Sequence, residues 1–227
     1  MNNKQLIAEI TQIARRAGEA ILKIYAHEAD FQVEHKADSS PLTIADRTAN
    51  AIICKALESL PVQYPIISEE NKQIPYAERQ YFQKAWLVDP LDGTKEFLKR
   101  NGDFTVNIAL INAGVIELGV VYIPVFDEMY YAAKGEGAFV AKAGKVEPIQ
   151  VLPFSMSDPG LKVICSRSHM SPETEGFIQQ LDQPELVSRG SSLKFLLIAM
   201  GQAHVYPRMG PTMEWDTGAA QIILEEA

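Results

Sequence analysis

The chain has 227 residues, 47% of them hydrophobic and 22% charged, with a formal net charge of −8. That balance suits a globular protein with a large core, while the acidic charge and the lack of any basic stripe exclude a nucleic-acid-binding surface. Two cysteines far apart in apolar contexts, Cys54 and Cys165, exclude a Cys-based metal site and point to reduced buried thiols.

The elements follow in chain order. Leu6, Ile7, Ile10, Ile13, Ala14, Ala17, Ile21 and Ile24 recur at helical spacing and predict one long N-terminal helix. No continuous apolar segment opens the chain, as a signal peptide would require. No run approaches the roughly 18 apolar residues of a membrane span. The expected compartment is therefore the cytoplasm, with peripheral attachment at the inner membrane face left open. Glu34 to Pro41 (E-H-K-A-D-S-S-P) reads as a polar loop, mobile from Lys36 onward. A second helix is expected from about Thr43 to Leu60, ended by Pro61. Tyr64 to Ile67 reads as a strand delivering Ser68, Glu69 and Glu70.

Trp86, Leu87 and Val88 predict a buried strand that stops at Asp89, with Asp92 held apart from it by Pro90 and Leu91. Gly93 and Thr94 then open a helix. Beyond it, Phe104 to Ile111, Val115 to Ile123 and Met129 to Ala133 predict a meander turned at Asn112-Ala113-Gly114. Short strands are expected at Ala138 to Ala141 and Ile149 to Leu152. The remainder alternates: strand Lys162 to Cys165, helix Pro172 to Leu181, strand Glu185 to Val187, helix Ser191 to Met200, strand Ala203 to Tyr206, and a final helix near Trp215. This order predicts a layered α/β protein of two fused halves. Residues 1–150 would form an α+β half with the metal site and meander, and 151–227 an α/β half that binds substrate.

Acids fall at several predicted element ends: Asp46, Glu69, Glu70, Asp89, Asp92 and Asp216. Plain structural roles exist for some. Asp46, three residues after Thr43, fits a capping box. Glu69 and Glu70 fit a solvated loop, and Asp216 suits a helix start. Asp89 and Asp92 are harder to place without a cation, because an acid directly after a buried strand is costly. If these acids converge, Mg2+ is the natural ligand, since it takes oxygen donors from separate elements together with substrate phosphate. Two such ions can activate water and stabilise a leaving oxygen. Thr94 could then contact the attacking water, Asp46 could orient Thr94, and the amides of Gly93 and Thr94 could meet phosphate oxygens.

The motifs S-E-E (Ser68 to Glu70), D-P-L-D-G-T (Asp89 to Thr94) and W-D-T-G-A-A (Trp215 to Ala220), with the loop K-A-D-S-S-P-L-T-I-A-D before the second helix, resemble the inositol monophosphatase superfamily. The resemblance implies an α-β-α-β-α sandwich and a Mg2+-dependent, lithium-sensitive phosphatase holding two or three ions. It implies metal ligation by Glu69, Asp89, the Leu91 carbonyl, Asp92 and Asp216, and a water-activating pair of Thr94 and Asp46, with Glu69 joining them in catalysis. Members of the superfamily continue past the W-D helix with a turn, a strand and a closing helix. This chain ends at Glu226-Ala227, so a final strand and helix are expected to be missing.

Within the superfamily, D-P-L-D-G-T-K-E-F and T-M-E-W-D look most like the 3'(2'),5'-bisphosphate nucleotidases of the CysQ type, enzymes of sulfur metabolism. Substrate contacts then fall on Gly93, Thr94, His169, Ser191, Lys194, Arg208 and Asp216. Lys194 and Arg208 would neutralise a retained phosphate. Plainer alternatives are a snorkelling Lys194, a His169 beside a helix cap, and an Arg208 paired with Glu214. The reaction implied is hydrolysis of 3'-phosphoadenosine 5'-phosphate to AMP and phosphate by a monomer or homodimer. The partner is a phosphorylated nucleotide, without nucleic acid or an integral membrane segment. The alternatives are an inositol monophosphatase of broad range and a catalytically weak, metal-dependent binding or regulatory protein.

Overall fold

A computed structural model describes residues 1–27, 31, 33–35, 41–165 and 171–227. Helix α1 (Asn3–Tyr25) begins at a reciprocal cap in which Gln5 N donates to Asn2 Oδ1 and Asn2 N to Gln5 Oε1. Its buried stripe is Leu6, Ile10, Ile13, Ala14, Ala17, Gly18 and Ile21, the spacing the sequence predicts. Two-residue strands β1 (Glu34–His35) and β2 (Pro41–Leu42) pair antiparallel. Of the loop expected to be mobile from Lys36 to Pro41, residues 36–40 lie outside the described residues, and Pro41 is paired in β2. Helix α2 (Ile44–Glu58) packs beside α1 with Ala45, Ala49, Ile53 and Leu57 buried.

The central sheet contains β3 (Ile66–Ser68), β4 (Lys84–Asp92), β5 (Thr105–Asn112), β6 (Val115–Ile123), β7 (Glu128–Ala133), β8 (Ala138–Lys142) and β9 (Lys145–Pro148), in that spatial order. Only β3 and β4 are parallel; the others form an antiparallel meander. Short helices α3 (Tyr76–Arg79) and α4 (Thr94–Leu98) flank β4. The expected strand Ile149 to Leu152 is not formed; the pairing lies earlier, at Lys145–Pro148. The reason is the turn: Ala143 and Gly144 both have positive φ and close a two-residue hairpin, so pairing restarts at once with Lys142 opposite Lys145.

Beyond the meander come β10 (Lys162–Cys165), α5 (Pro172–Ile178), β11 (Glu185–Ser188), α6 (Leu193–Ala199) and α7 (Glu214–Glu226). Strands β10 and β11 make a separate parallel pair. Ala203 to Tyr206 is not a strand: it contributes a single bridge, Val205 to Val163, and Pro207 ends the pairing.

Alternation along the strands separates two cores. Trp86, Val88, Ile108 and Leu110 face α1 and α2, whereas Leu87, Ala109 and Val121 face α6 and α7. A third small core joins Val163 of β10 to Ile178 of α5 and Leu181. The layers therefore run helices, seven-stranded sheet, helices, two-stranded sheet, helix. Gly119 of β6 permits the close approach of α7, since a Cβ there would lie 2.6 Å from the Ala219 carbonyl oxygen. At its far end α7 is clasped by the β7–β8 turn, where Gly135 N and Gly137 N donate to the two Glu226 carboxylate oxygens at 2.9 and 3.0 Å. Among the described residues no helix is long and apolar enough to cross a membrane.

Candidate active site

The parallel pairing of β3 with β4 sets Ser68 beside Val88, and Glu69 N donates to the Val88 carbonyl at 3.1 Å. That bond delivers Glu69 next to Asp89. Behind it, Ser68 Oγ donates to Asn50 Oδ1 at 2.7 Å and Asn50 Nδ2 to Asn71 Oδ1 at 2.8 Å, tying the S-E-E segment to α2. Strand β4 does not stop at Asp89. It runs to Asp92, with Asp89 opposite Asn107, Asp92 opposite Thr105, and an irregular register between them. The bulge at Pro90-Leu91 lets two nearby acids leave the strand while the ladder to β5 resumes.

Asp89 is 1% exposed, and its Oδ1 accepts from Leu91 N at 3.1 Å. Burial pushes its carboxyl well above the usual range, and the negative charges of Glu69, Asp92 and Asp216 push it further. Asp216 is raised too, first by burial, against which Met213 N and Thr212 donate to its Oδ2 at 3.0 and 2.8 Å. Asp92 Oδ2 accepts from Ser191 Oγ at 2.7 Å and Ser192 Oγ at 2.8 Å. Among the described residues no three His, Cys, Asp or Glu side chains close on one point. The donor set still fits a hard divalent cation. It is all oxygen, and each charge acting most strongly on buried Asp89 is negative.

The two readings of Asp46 are both realised in its geometry. Its Oδ2 accepts from Thr43 N at 2.7 Å and Thr43 Oγ1 at 2.6 Å, which caps α2. Its Oδ1 accepts from Thr94 Oγ1 at 3.2 Å. Burial raises the Asp46 carboxyl, and the Thr43 and Thr94 bonds partly offset this. Thr94 Oγ1 also lies 3.4 Å from the Leu91 carbonyl oxygen. Gly93 has φ +96°, and a Cβ there would lie 2.9 Å from the Asp103 carbonyl oxygen, so the turn into α4 requires glycine.

Beside these acids a small cleft is lined by Asp92, Ser191, Lys194, Tyr206, Arg208 and Asp216. Lys194 Nζ lies 5.5 Å from the Tyr206 ring centroid, so it bends over this cleft wall. Arg208 does not pair with Glu214. Glu214 is taken by Arg79, while Arg208 Nη2 donates to the Pro211 carbonyl at 3.0 Å and its charge acts on Asp216. The segment Ser166 to His169, and with it the expected nucleotide contact His169, lies outside the described residues.

Three buried polar residues here escape the sequence reading: Thr105, Asn107 and Ser192. A signal existed in T-V-N-I, where polar Thr105 and Asn107 alternate with apolar Val106 and Ile108, as residues on one strand face do. Nothing in the sequence, however, names their partners Ser191 and Ser192 at the entry to α6.

A model of the inositol monophosphatase family matches residues 2–227. The 3'(2'),5'-bisphosphate nucleotidase CysQ of Salmonella typhimurium is 48% identical over 218 residues, spanning 96% of this chain and 86% of the relative. The enzyme of the same name from Escherichia coli is 47% identical over 222 residues, spanning 98% and 88%. The crystal structure of CysQ from Bacteroides thetaiotaomicron, a bacterial member of the inositol monophosphatase family, superposes with a TM-score of 0.81 at 43% identity, covering 98% of this chain and 86% of that one.

Proposed function

The chain belongs to the inositol monophosphatase family, and from that premise we propose that it is a Mg2+-dependent 3'(2'),5'-bisphosphate nucleotidase. It releases phosphate from 3'-phosphoadenosine 5'-phosphate and leaves AMP. Beyond the likeness to CysQ nucleotidases, one observation carries this reading: the cleft beside the acids also holds Lys194 and Arg208. A substrate with two phosphates needs cationic side chains for the one that is kept, and these two suit it.

In this reading Glu69, Asp89, the Leu91 carbonyl, Asp92 and Asp216 hold two or three Mg2+ ions. Bound there, Mg2+ polarises phosphoryl oxygens and makes water a better nucleophile. Asp46 Oδ1 takes the Thr94 hydroxyl proton in a hydrogen bond, which turns the Thr94 Oγ1 lone pairs toward an attacking water. The amides of Gly93 and Thr94 receive oxygens of the scissile phosphate. Lys194 and Arg208 hold the second phosphate, while His169, Ser191 and Asp216 complete the nucleotide contacts.

The test compares phosphate release from 3'-phosphoadenosine 5'-phosphate, myo-inositol 1-phosphate and fructose 1,6-bisphosphate in Mg2+. The nucleotide should be turned over with the highest kcat/KM, and a preference for either sugar ester overturns the assignment. Lys194→Ala and Arg208→Ala should raise KM for the bisphosphate nucleotide far more than for inositol 1-phosphate. Equal losses on both substrates would contradict their proposed role.

A further inference from the structure

A buried chain of side chains stands directly behind Asp92. Thr105 and Asn107 project from β5 on the face opposite the end of β4, and Thr105 Oγ1 donates to Asn107 Oδ1 at 2.9 Å. That bond fixes which way the Asn107 amide faces, so its Nδ2 donates to Ser192 Oγ at 2.8 Å. Accepting there, Ser192 Oγ turns its single proton toward Asp92 Oδ2 at 2.8 Å. The same Oγ lies 3.3 Å from the backbone carbonyl oxygen of Asp216. Ser191 Oγ lies 2.8 Å from Thr105 Oγ1 and 2.7 Å from Asp92 Oδ2, and with the Thr105 proton given to Asn107 its single proton is shared between these two acceptors. Thr105, Asn107 and Ser192 are each 1% exposed or less. A buried polar network of this kind holds its members' orientations against one another.

We propose that Ser192, oriented by Asn107 and Thr105, is a positioning residue that fixes the rotation of the Asp92 carboxylate. The Ser192 hydroxyl engages Oδ2, which leaves Oδ1 as the oxygen presented to a cation. Ser192 donates to Asp92 on β4 while its Oγ lies 3.3 Å from the Asp216 carbonyl oxygen on α7, so it stands between ligands from two elements. The proposal rests on the reading of Asp92 as a metal ligand. Hydrogen bonds behind a ligand are worth about 10- to 100-fold in metal affinity.

The experiment is a Mn2+ titration of the purified chain, followed by the electron paramagnetic resonance of free Mn2+, with thermal unfolding in EDTA alongside. Ser192→Ala should weaken Mn2+ binding by about 10- to 100-fold, while the metal-free unfolding midpoint falls by only about 2–4 °C, as for one lost hydrogen bond. Ser192→Thr, which keeps the hydroxyl, should recover most of that affinity, as a purely structural role for the site would not require. KM for the nucleotide should stay near wild type. Wild-type Mn2+ binding by Ser192→Ala, with binding lost in Asp92→Asn, overturns the positioning role and leaves the ligand reading standing. Wild-type binding by Asp92→Asn overturns both. Should Ser192→Ala fail to fold, Thr105→Val removes the far end of the chain isosterically. It should weaken Mn2+ binding several-fold, and unaltered binding would sink the proposal.

Discussion

Asp46 serves folding and chemistry with different oxygens of one carboxylate: Oδ2 caps α2 through Thr43, and Oδ1 faces Thr94. The two duties separate experimentally. Thr94→Ala should lower kcat by about 10²–10⁴-fold and leave Mn2+ binding and the unfolding midpoint close to wild type. Thr43→Ala should cost about 1 kcal/mol of stability as a lost cap, with the smaller effect on kcat. Thermal unfolding and steady-state kinetics on both variants check the pattern; similar kcat losses in the two would remove Thr94 from its proposed place. The cap was legible in the sequence, because Thr43 and Asp46 are three residues apart. The Asp46–Thr94 contact spans 48 positions and was reached only by supposing that the acids converge, a supposition the family resemblance then supported. Ser192 and Asn107 were missed for the same reason: their mutual bond spans 85 positions, and no local periodicity reports such a distance.

At the scale of elements, the end of β4 concentrates negative charge in a buried place, and this sets a pH dependence. A carboxyl raised in the folded state, as Asp89 is, favours folding below its unfolded pKa, and that contribution is lost as pH rises through the folded value. The metal-free protein should therefore lose thermal stability from mildly acidic toward neutral pH. A divalent cation takes the place of the proton and stabilises by mass action. The rise in unfolding midpoint on adding Mg2+ should consequently grow from pH 5 to pH 8. A gain that shrinks over that range would show that these acids do not take up the ion. Long periodic elements such as α1, α2 and the meander were legible because each carries its own apolar stripe. The strand at Lys145–Pro148 was not, since all four of its residues are exposed and leave no hydrophobic pattern.

For the molecule as a whole, the proposed ligands come from three places: the end of β3, the bulged end of β4, and the first turn of α7. Helix α7 lies across the sheet rather than along one strand, so its packing and the ties at its ends determine where Asp216 stands relative to Asp89. Both ends of α7 are tied, by Arg79 to Glu214 at its start and by the β7–β8 turn to Glu226 at its finish. An acid at a helix C-terminus is otherwise unfavourable, and the two glycine amides offset that. The consequence is one of timescale. A helix clasped at both ends opens together with what clasps it, so amide hydrogens of α7 should exchange with deuterium as slowly as those of β6 beneath it. In Glu226→Gln the last turn of α7 and the amides of Gly135 and Gly137 should quicken together, while β6 keeps its protection. Exchange that speeds in the helix alone would mean the clasp carries no load.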